Sequence, residues 1–383
     1  ERLGYETPSP VQAQAIPHLL DGHDILGHAP TGTGKTAAFA LPLLSRIDVK
    51  QKHVQILVLA PTRELAIQVA EAFKTYANSI KGFHVLPIYG GQDYGGQIRG
   101  LKRGAHVVVG TPGRISDHIG KGTLQLGNTK AVVLDEADEM LSMGFKSEID
   151  KILREVPEER RIYLFSATIS QKVKKVTQMY MKDAMMISTA SANQGSDNVR
   201  HVFYTSKKNK RYEIIKNIID INSNIYSIVF CRTRRETKEV ADKLIRDNYR
   251  AQVLNGDLSQ AERDRVMKQF RTKKINVLVA TDVASRGIDV DSLSHIINYN
   301  LPDDPEVYVH RSGRTGRAGN NGVSIVLITK KEYYRLKEIE KLSKISFKEE
   351  NPPTNTDILN SKINSFTVLA FVLIFIFRPI LLK

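Results

Sequence analysis

The chain has 383 residues, 41% hydrophobic and 25% charged, which is ordinary for a globular protein and long enough for two domains. Its 56 Lys and Arg against 41 Asp and Glu leave a net charge of +15, which favours a polyanionic partner, nucleic acid or an acidic membrane. The single cysteine, Cys231, excludes an intramolecular disulfide and a cysteine-rich zinc site, and the Val229-Phe230 pair before it marks it as a core residue.

The first feature is Gly4-Tyr5-Glu6-Thr7-Pro8-Ser9-Pro10-Val11-Gln12. Its two prolines make a rigid turn, after which Val11–Leu20 is expected to be helical. The Gln12 amide carries both an acceptor and a donor, enough to read an adenine edge, although a glutamine on a helix is more often simply solvated. A short strand over Asp24-Ile25-Leu26-Gly27 then leads into Ala29-Pro30-Thr31-Gly32-Thr33-Gly34-Lys35-Thr36. Glycines at 32 and 34 let successive backbone N–H groups turn toward a phosphate, and a helix opening at Lys35 adds its positive end. Lys35 is placed to neutralise the β/γ-phosphates and the Thr36 hydroxyl to ligate Mg²⁺. Ala29 stands where the strict phosphate-loop pattern has glycine.

Strand-like runs at Val54–Ala60, His84–Tyr89, His106–Val109, Ala131–Leu134 and Arg161–Phe165 alternate with helical stretches. The helices are expected around Arg63–Ala77, Asp93–Leu101, Pro112–Ile119, Lys146–Val156 and Ser170–Met181. This alternation predicts a parallel sheet flanked by helices. Three strand exits carry Pro61-Thr62-Arg63, Gly90-Gly91 and Thr111-Pro112-Gly113-Arg114. Each offers hydroxyls, free N–H groups or arginine, and three on one sheet edge of a basic protein suit a groove that follows a sugar-phosphate backbone. The apolar run Val132-Val133-Leu134 ends in Asp135-Glu136-Ala137-Asp138, placing carboxylates at the mouth of a cleft. Adjacent acids there hold Mg²⁺ and polarise a water, or, more blandly, begin a helix. Ser166 and Thr168 end the next strand within reach of Asp138, where they can relay nucleotide state or cap a helix.

Small polar residues from Thr189 to Asn198 read as a linker. A second α/β set follows, with strands expected at His201–Tyr204, Ile225–Phe230, Ala251–Leu254, Val277–Ala280, His295–Asn298 and Gly322–Leu327. It has no phosphate loop, so it is expected to supply groups in trans. Arg311, Arg314 and Arg317, spaced by three, share one face if helical, and Arg314 and Arg317 suit the charge developing on a γ-phosphoryl group. The alternative is a basic surface for RNA phosphates.

Together these motifs resemble the DEAD-box ATP-dependent RNA helicases: Asp135-Glu136-Ala137-Asp138 spells the box, and the Gln12, Ala29–Thr36, Pro61–Ala66, Thr111–Arg114, Ser166–Thr168, Thr281–Asp289 and His310–Arg317 segments stand in family order over residues 1 to 345. The resemblance implies two tandem RecA-like domains, each a mostly parallel sheet flanked by helices, over 1–189 and 200–345 with a linker at 190–199. It implies ATP and Mg²⁺ as ligands, with Gln12 on adenine, Asp289 on ribose, Ala29, Thr31, Gly32, Thr33, Gly34, Lys35 and Thr36 around the phosphates, and Thr36 with Asp135 on the metal. Glu136 would position or deprotonate the attacking water, Arg314 and Arg317 would complete the site, and Asp138 would couple to Ser166, Thr168 and His310. RNA contacts would fall to Pro61, Thr62, Arg63, Gly91, Thr111, Gly113 and Arg114, then Arg232, Thr233, Gly256, Thr281 and Arg286.

The style is that of bacterial cold-shock helicases of RNA decay and ribosome assembly, with proteins of those processes as expected partners. An ATP-dependent RNA clamp with little unwinding is the alternative. The chain opens at Glu1 within a motif, which reads as a fragment lacking the family's upstream adenine-stacking aromatic. A cytoplasmic location fits the lone cysteine and the absence of a leading signal segment. Residues 346–383 read as an atypical tail whose apolar run, Phe366–Phe377, is shorter than the ~20 residues a spanning helix needs. Membrane anchoring is therefore the lesser reading of it.

Overall fold

The computed structural model describes residues 6–30, 32–189, 198–282, 290, 293–316, 320–361 and 363, in two units that part at the 190–197 stretch. In the first unit, α1 (Pro10–Asp21) precedes β1 (Ile25–His28), α2 (Lys35–Leu44), β2 (Ile56–Leu59), α3 (Arg63–Tyr76) and β3 (Val85–Ile88). The chain continues through α4 (Tyr94–Arg103), β4 (Val107–Gly110), α5 (Pro112–Gly120), β5 (Ala131–Leu134) and α6 (Ala137–Ser142). It ends with α7 (Lys146–Arg154), β6 (Arg161–Ser166), α8 (Gln171–Tyr180) and β7 (Met185–Ser188).

The strands form one parallel sheet in the order β3-β4-β2-β5-β6-β1-β7. Unbroken Val, Ile and Leu runs make its central strands because both faces are covered. Period-two alternation divides β2 cleanly: Ile56 and Val58 enter the core with α1, α2 and α3, whereas Leu57 and Leu59 enter the core with α5 to α8. Phe39, Phe73 and Phe165 meet in the first of these cores with ring centroids 5.5 to 6.2 Å apart. Each such buried ring contributes on the order of 2 to 3 kcal/mol.

The second unit runs β8 (Val199–Thr205), α9 (Arg211–Ile221), β9 (Ser227–Phe230), α10 (Arg234–Arg246), β10 (Ala251–Leu254) and α11 (Gln260–Arg271). It continues with β11 (Val277–Ala280), β12 (His295–Asn298), α12 (Pro305–Ser312), β13 (Gly322–Ile328), α13 (Tyr333–Ser343) and β14 (Lys348–Glu349). Its parallel order, β10-β11-β9-β12-β13-β8-β14, is the same permutation as in the first unit. Cys231 lies at the end of β9, fully buried, and burial pushes its thiol well above the usual range.

The two parallel sheets agree with the fold class read from the sequence. Four details differ. β7 was not expected, since an edge strand with exposed Met185 and Met186 lacks a readable alternation. The one-and-a-half-turn α6 was absorbed into the acidic motif before it. The second sheet extends past residue 345, because Lys348–Glu349 pairs with β8 and Asn217 Nδ2 donates to the Pro353 carbonyl at 2.6 Å. Finally, α12 ends at Ser312, so Arg311 and Arg314 do not share a helix face. Arg317, Arg286, Asp289, Thr31, most of the linker and the apolar run Phe366–Phe377 lie outside the described residues. Among the described residues, no helix is long and apolar enough to cross a membrane.

Candidate nucleotide site and nucleic-acid edge

Parallel pairing puts every strand exit of the first unit on one sheet edge. The strand order then sorts the motifs. The exits of the neighbours β5, β6 and β1 carry Asp135–Asp138, Ser166–Thr168 and Ala29–Thr36. The exits of the neighbours β3, β4 and β2 carry Gly90-Gly91, Thr111–Arg114 and Pro61–Arg63. One half of the edge therefore presents a candidate phosphate site and the other a candidate backbone-binding row.

In the phosphate half, the Ala29 N–H donates to the Ser166 carbonyl at 3.0 Å, extending the β1–β6 ladder into the loop. Thr33 Oγ1 donates to the Pro30 carbonyl at 2.8 Å and closes the turn. Gly32 and Gly34 take φ of 82° and 89°, and a Cβ on Gly34 would sit 2.5 Å from Gln12 Nε2. Gln12, 6% exposed, donates from Nε2 to the Gly34 carbonyl at 3.2 Å and accepts the Ser9 N–H on Oε1 at 3.0 Å. It thus fastens the start of α1 to the end of the loop, with one amide proton and one lone pair left for a ligand.

Lys35 begins α2 and is 6% exposed, and its Nζ has no hydrogen-bond partner among the described residues. A buried ammonium at a helix N-terminus without a hydrogen-bonded anion is costly alone and fits a bound phosphate. Thr36 follows, half-buried, in the same turn.

Asp135, 3% exposed, is the nearby anion. Burial pushes its carboxyl up to about 6; Lys35 opposes that rise, while the Glu136 and Asp138 charges add to it. Its Oδ1 accepts the Glu136 N–H at 3.1 Å. Glu136 itself has φ 51° and ψ 53°, a left-handed conformation that costs a non-glycine residue on the order of 1 to 2 kcal/mol. The turn buries its side chain at the strand exit, where α6 begins. Asp138 Oδ2 accepts from both the Thr168 N–H and Thr168 Oγ1 at 2.8 Å. Ser166 Oγ accepts the Asp138 N–H at 3.3 Å and donates to the Thr168 carbonyl at 2.7 Å. Asp138, Ser166 and Thr168 are therefore linked in one hydrogen-bonded network, and His310 lies on α12 of the second unit.

No group of three or more His, Cys, Asp or Glu among the described residues could hold a metal by itself. Magnesium fits this donor set only as an ion shared between a carboxylate, a hydroxyl and substrate phosphates, the usual manner for that ion.

On the other half of the edge, Pro61 and Thr62 are buried, and Thr62 Oγ1 caps α3 by accepting the Leu65 N–H at 3.2 Å. Arg63 is half-buried and its guanidinium lies against Gly91, whose φ of 81° and lack of a Cβ make that approach possible. Thr111 opens α5, and Gly113 faces open space. Arg114 Nη1 donates to Gln97 Oε1 at 3.1 Å, and its guanidinium lies 4.7 Å from the Tyr94 ring centroid.

The second unit repeats the arrangement: β9, β10 and β11, adjacent in the sheet, lead to Arg232-Thr233, Gly256 and Thr281. Arg232 is exposed but engaged, with Nη2 on Asp303 Oδ1 at 3.0 Å and on the Leu301 carbonyl at 3.1 Å. Thr233 caps α10 by accepting the Glu236 N–H at 3.1 Å, and Gly256 lies against Arg234. Arg314 is half-buried in the turn after α12. Arg311 is 4% exposed and makes a bidentate pair with Asp282 at 2.5 and 2.7 Å, above the Phe230 ring.

Sequence reasoning passed over Gln97. The one available signal was a polar residue at helical spacing between Tyr94 and Leu101, where α4 should turn an apolar face inward.

Two family comparisons cover most of the chain. Residues 9–176 match the DEAD/DEAH box helicase domain and residues 210–319 the helicase conserved C-terminal domain. A DEAD-box ATP-dependent RNA helicase CshA of Geobacillus kaustophilus is 45% identical over 362 residues, 94% of this chain and 77% of that protein. Among solved structures, S. cerevisiae Dbp5 bound to RNA and ADP BeF3 is similar, with a TM-score of 0.85 and 29% identity over 94% of each chain. Mss116p bound to ssRNA and AMP-PNP is also similar, with a TM-score of 0.83 and 27% identity over 99% of this chain and 82% of that one. Two RecA-like folds, the box at the exit of β5 and the phosphate loop at the exit of β1 agree with these matches, and the chain belongs to the DEAD-box ATP-dependent RNA helicases.

Proposed function

We propose that this chain separates short RNA duplexes, driven by ATP binding and hydrolysis. The observation that carries the reading is the buried Lys35 ammonium beside Asp135, on the same sheet edge as the Arg63 and Arg114 row. ATP is the substrate of the first half of that edge, and the RNA backbone is the ligand of the second.

In this reading Lys35 and the loop N–H groups hold the β/γ-phosphates, and Gln12 spends its remaining proton and lone pair on adenine. Thr36 and Asp135 would hold magnesium, which would supply charge neutralisation at the phosphates. Glu136, fixed by its left-handed turn, orients a water and takes its proton as the oxygen attacks the γ-phosphorus. The β–γ bridging bond breaks, giving ADP and phosphate. Arg314 and Arg317 meet the charge that develops, and Asp289 meets the ribose. The Asp138, Ser166 and Thr168 network, with His310, reports nucleotide state to the RNA-binding loops. Pro61, Thr62, Arg63, Gly91, Thr111, Gly113 and Arg114, with Arg232, Thr233, Gly256, Thr281 and Arg286, hold the backbone. Thr62 and Thr233, whose oxygens already serve as helix caps, keep a hydroxyl proton for a phosphate. Backbone contacts imply little sequence preference. A place in RNA decay or ribosome assembly rests on likeness to cold-shock helicases alone.

The test is steady-state ATP turnover without nucleic acid, with single-stranded RNA and with matched DNA, followed by strand separation of a short RNA duplex. RNA-specific stimulation with duplex separation is expected. Equal stimulation by DNA would refute the RNA assignment, and stimulation without strand separation would favour an ATP-dependent clamp.

A further inference from the structure

Gln97 is 3% exposed, on the inner side of α4, and its amide makes four hydrogen bonds. Nε2 donates to the Tyr89 carbonyl at 2.9 Å and to Gln92 Oε1 at 3.1 Å. Oε1 receives Arg114 Nη1 at 3.1 Å and His118 Nε2 at 2.9 Å. Two donors and two acceptors are all a glutamine amide has, so the group is saturated. Its orientation is also fixed by chemistry: a guanidinium only donates and a backbone carbonyl only accepts, so the flipped amide would lose both bonds. His118 must then donate from Nε2 to Oε1.

These partners come from separate places on the edge. Tyr89 and Gln92 flank the Gly90-Gly91 turn after β3, whereas Arg114 and His118 lie one turn apart on α5 after β4. Tyr94, at the start of α4, completes the frame. Its ring stacks on His118 at 4.3 Å, its hydroxyl donates to Asp117 Oδ2 at 3.0 Å, and the Arg114 guanidinium and Lys121 ammonium lie 4.7 and 4.1 Å from its centroid. Arg114 is thereby held by its guanidinium, through Nη1 on Gln97 and against the Tyr94 ring, while remaining half-exposed.

We infer that Gln97 is a positioning residue for RNA, setting the Gly90-Gly91 turn and Arg114 at one fixed spacing so that both meet the same stretch of sugar-phosphate backbone. This rests on the reading of the β2-β3-β4 exits as the RNA-binding row. The reason for a buried amide here, rather than the leucine that α4 would otherwise accept, is that only an amide can accept from the arginine and donate to the turn at once. A free arginine samples many rotamers and loses them on binding, whereas a held one has already lost them. His118 stays neutral in this frame, since burial and the Arg114 charge both lower its pKa, so the arginine faces no second buried cation.

The test titrates single-stranded RNA into the ATPase reaction of the full chain, reading the half-saturating RNA concentration and the maximal rate separately. Gln97→Met, close in size, is expected to raise half-saturation about tenfold, the order set by loss of a hydrogen bond to a charged group. The maximal rate at saturating RNA should be retained. Gln97→Glu keeps the shape and fold but neutralises the arginine and repels the Tyr89 carbonyl, so half-saturation should rise there too. Combined with Arg114→Ala, either change should add little, because both act through the same contact. Additive losses, or unchanged half-saturation in both Gln97 variants, would overturn the inference. If Arg114→Ala alone leaves half-saturation unchanged, the RNA-row reading itself fails, and the two failures are thus separable.

Discussion

At the residue scale, three side chains of the phosphate site lead to distinct outcomes. Lys35→Ala removes the buried cation that begins α2, so ATP affinity should fall by about a hundredfold or more, read by equilibrium nucleotide binding; normal affinity would remove the phosphate-loop assignment. Glu136→Gln keeps size and hydrogen bonding but not the base, so ATP and RNA binding should persist while turnover falls by at least two orders of magnitude in single-turnover hydrolysis. Asp135 is the pH-sensitive member. Its carboxyl rises from the usual 3.8 to about 6 on folding, so the folded state binds the extra proton between those values. Stability from this group is therefore present below about pH 4, is lost as pH climbs toward 6, and stays lost above. Ionised Asp135 costs the nucleotide-free protein up to about 3 kcal/mol at neutral pH. Asp135→Asn should raise the melting temperature at pH 7.5, make little difference at pH 4, and abolish magnesium-dependent turnover. A variant that melts lower at pH 7.5 would show that the carboxylate is stabilised, not strained, in its buried setting.

The sequence carried these three residues legibly because their chemistry demands their type and their motif is contiguous. Gln97 was not legible for the opposite reason. Its four partners lie at Tyr89, Gln92, Arg114 and His118, and nothing in a lone glutamine on a helix announces that four bonds will converge on it.

At the element scale, strands were readable wherever both faces are buried, as in β2, β4 and β5, and unreadable where one strand is an exposed edge, as in β7. The arginine motif shows the other limit. Spacing by three puts Arg311 and Arg314 on one face only while a helix lasts, and α12 stops at Ser312. The structure instead turns Arg311 inward to Asp282, Asn298 Oδ1 at 2.9 Å and the Phe230 ring, tying α12 to the exits of β11 and β12. This makes Arg311 a fastening for the helix that carries His310. Arg311→Ala would leave Asp282 without its bidentate partner and should lower the stability of the second unit by about 3 kcal/mol, seen as an earlier melting transition. Arg311→Lys should recover little of it, since an ammonium cannot reproduce two parallel bonds to one carboxylate. A lysine variant as stable as the parent would mean that charge alone, without the fork, holds α12.

At the scale of the whole molecule, two units with one strand permutation differ in what their edges carry. Both have a row of threonine, glycine and arginine after equivalent strands, but among the described residues only the first has a loop with glycines at positive φ ending in a buried lysine. Each unit also has its own cores, which share no residue. On the proposed assignment, duplicated backbone-binding rows with an unduplicated nucleotide site would divide RNA affinity between two folds while the chemistry begins in one. A first unit expressed alone over residues 1–189 should therefore fold and bind ATP, yet show almost none of the RNA-stimulated turnover of the full chain. Adding the second unit as a separate chain should restore turnover only as its concentration approaches the millimolar range that a short tether provides. The measurement is RNA-dependent ATP hydrolysis against the concentration of the added unit. Full RNA stimulation by the first unit alone would remove Arg314 and Arg317 from the reaction and leave the second unit as an RNA-binding appendage.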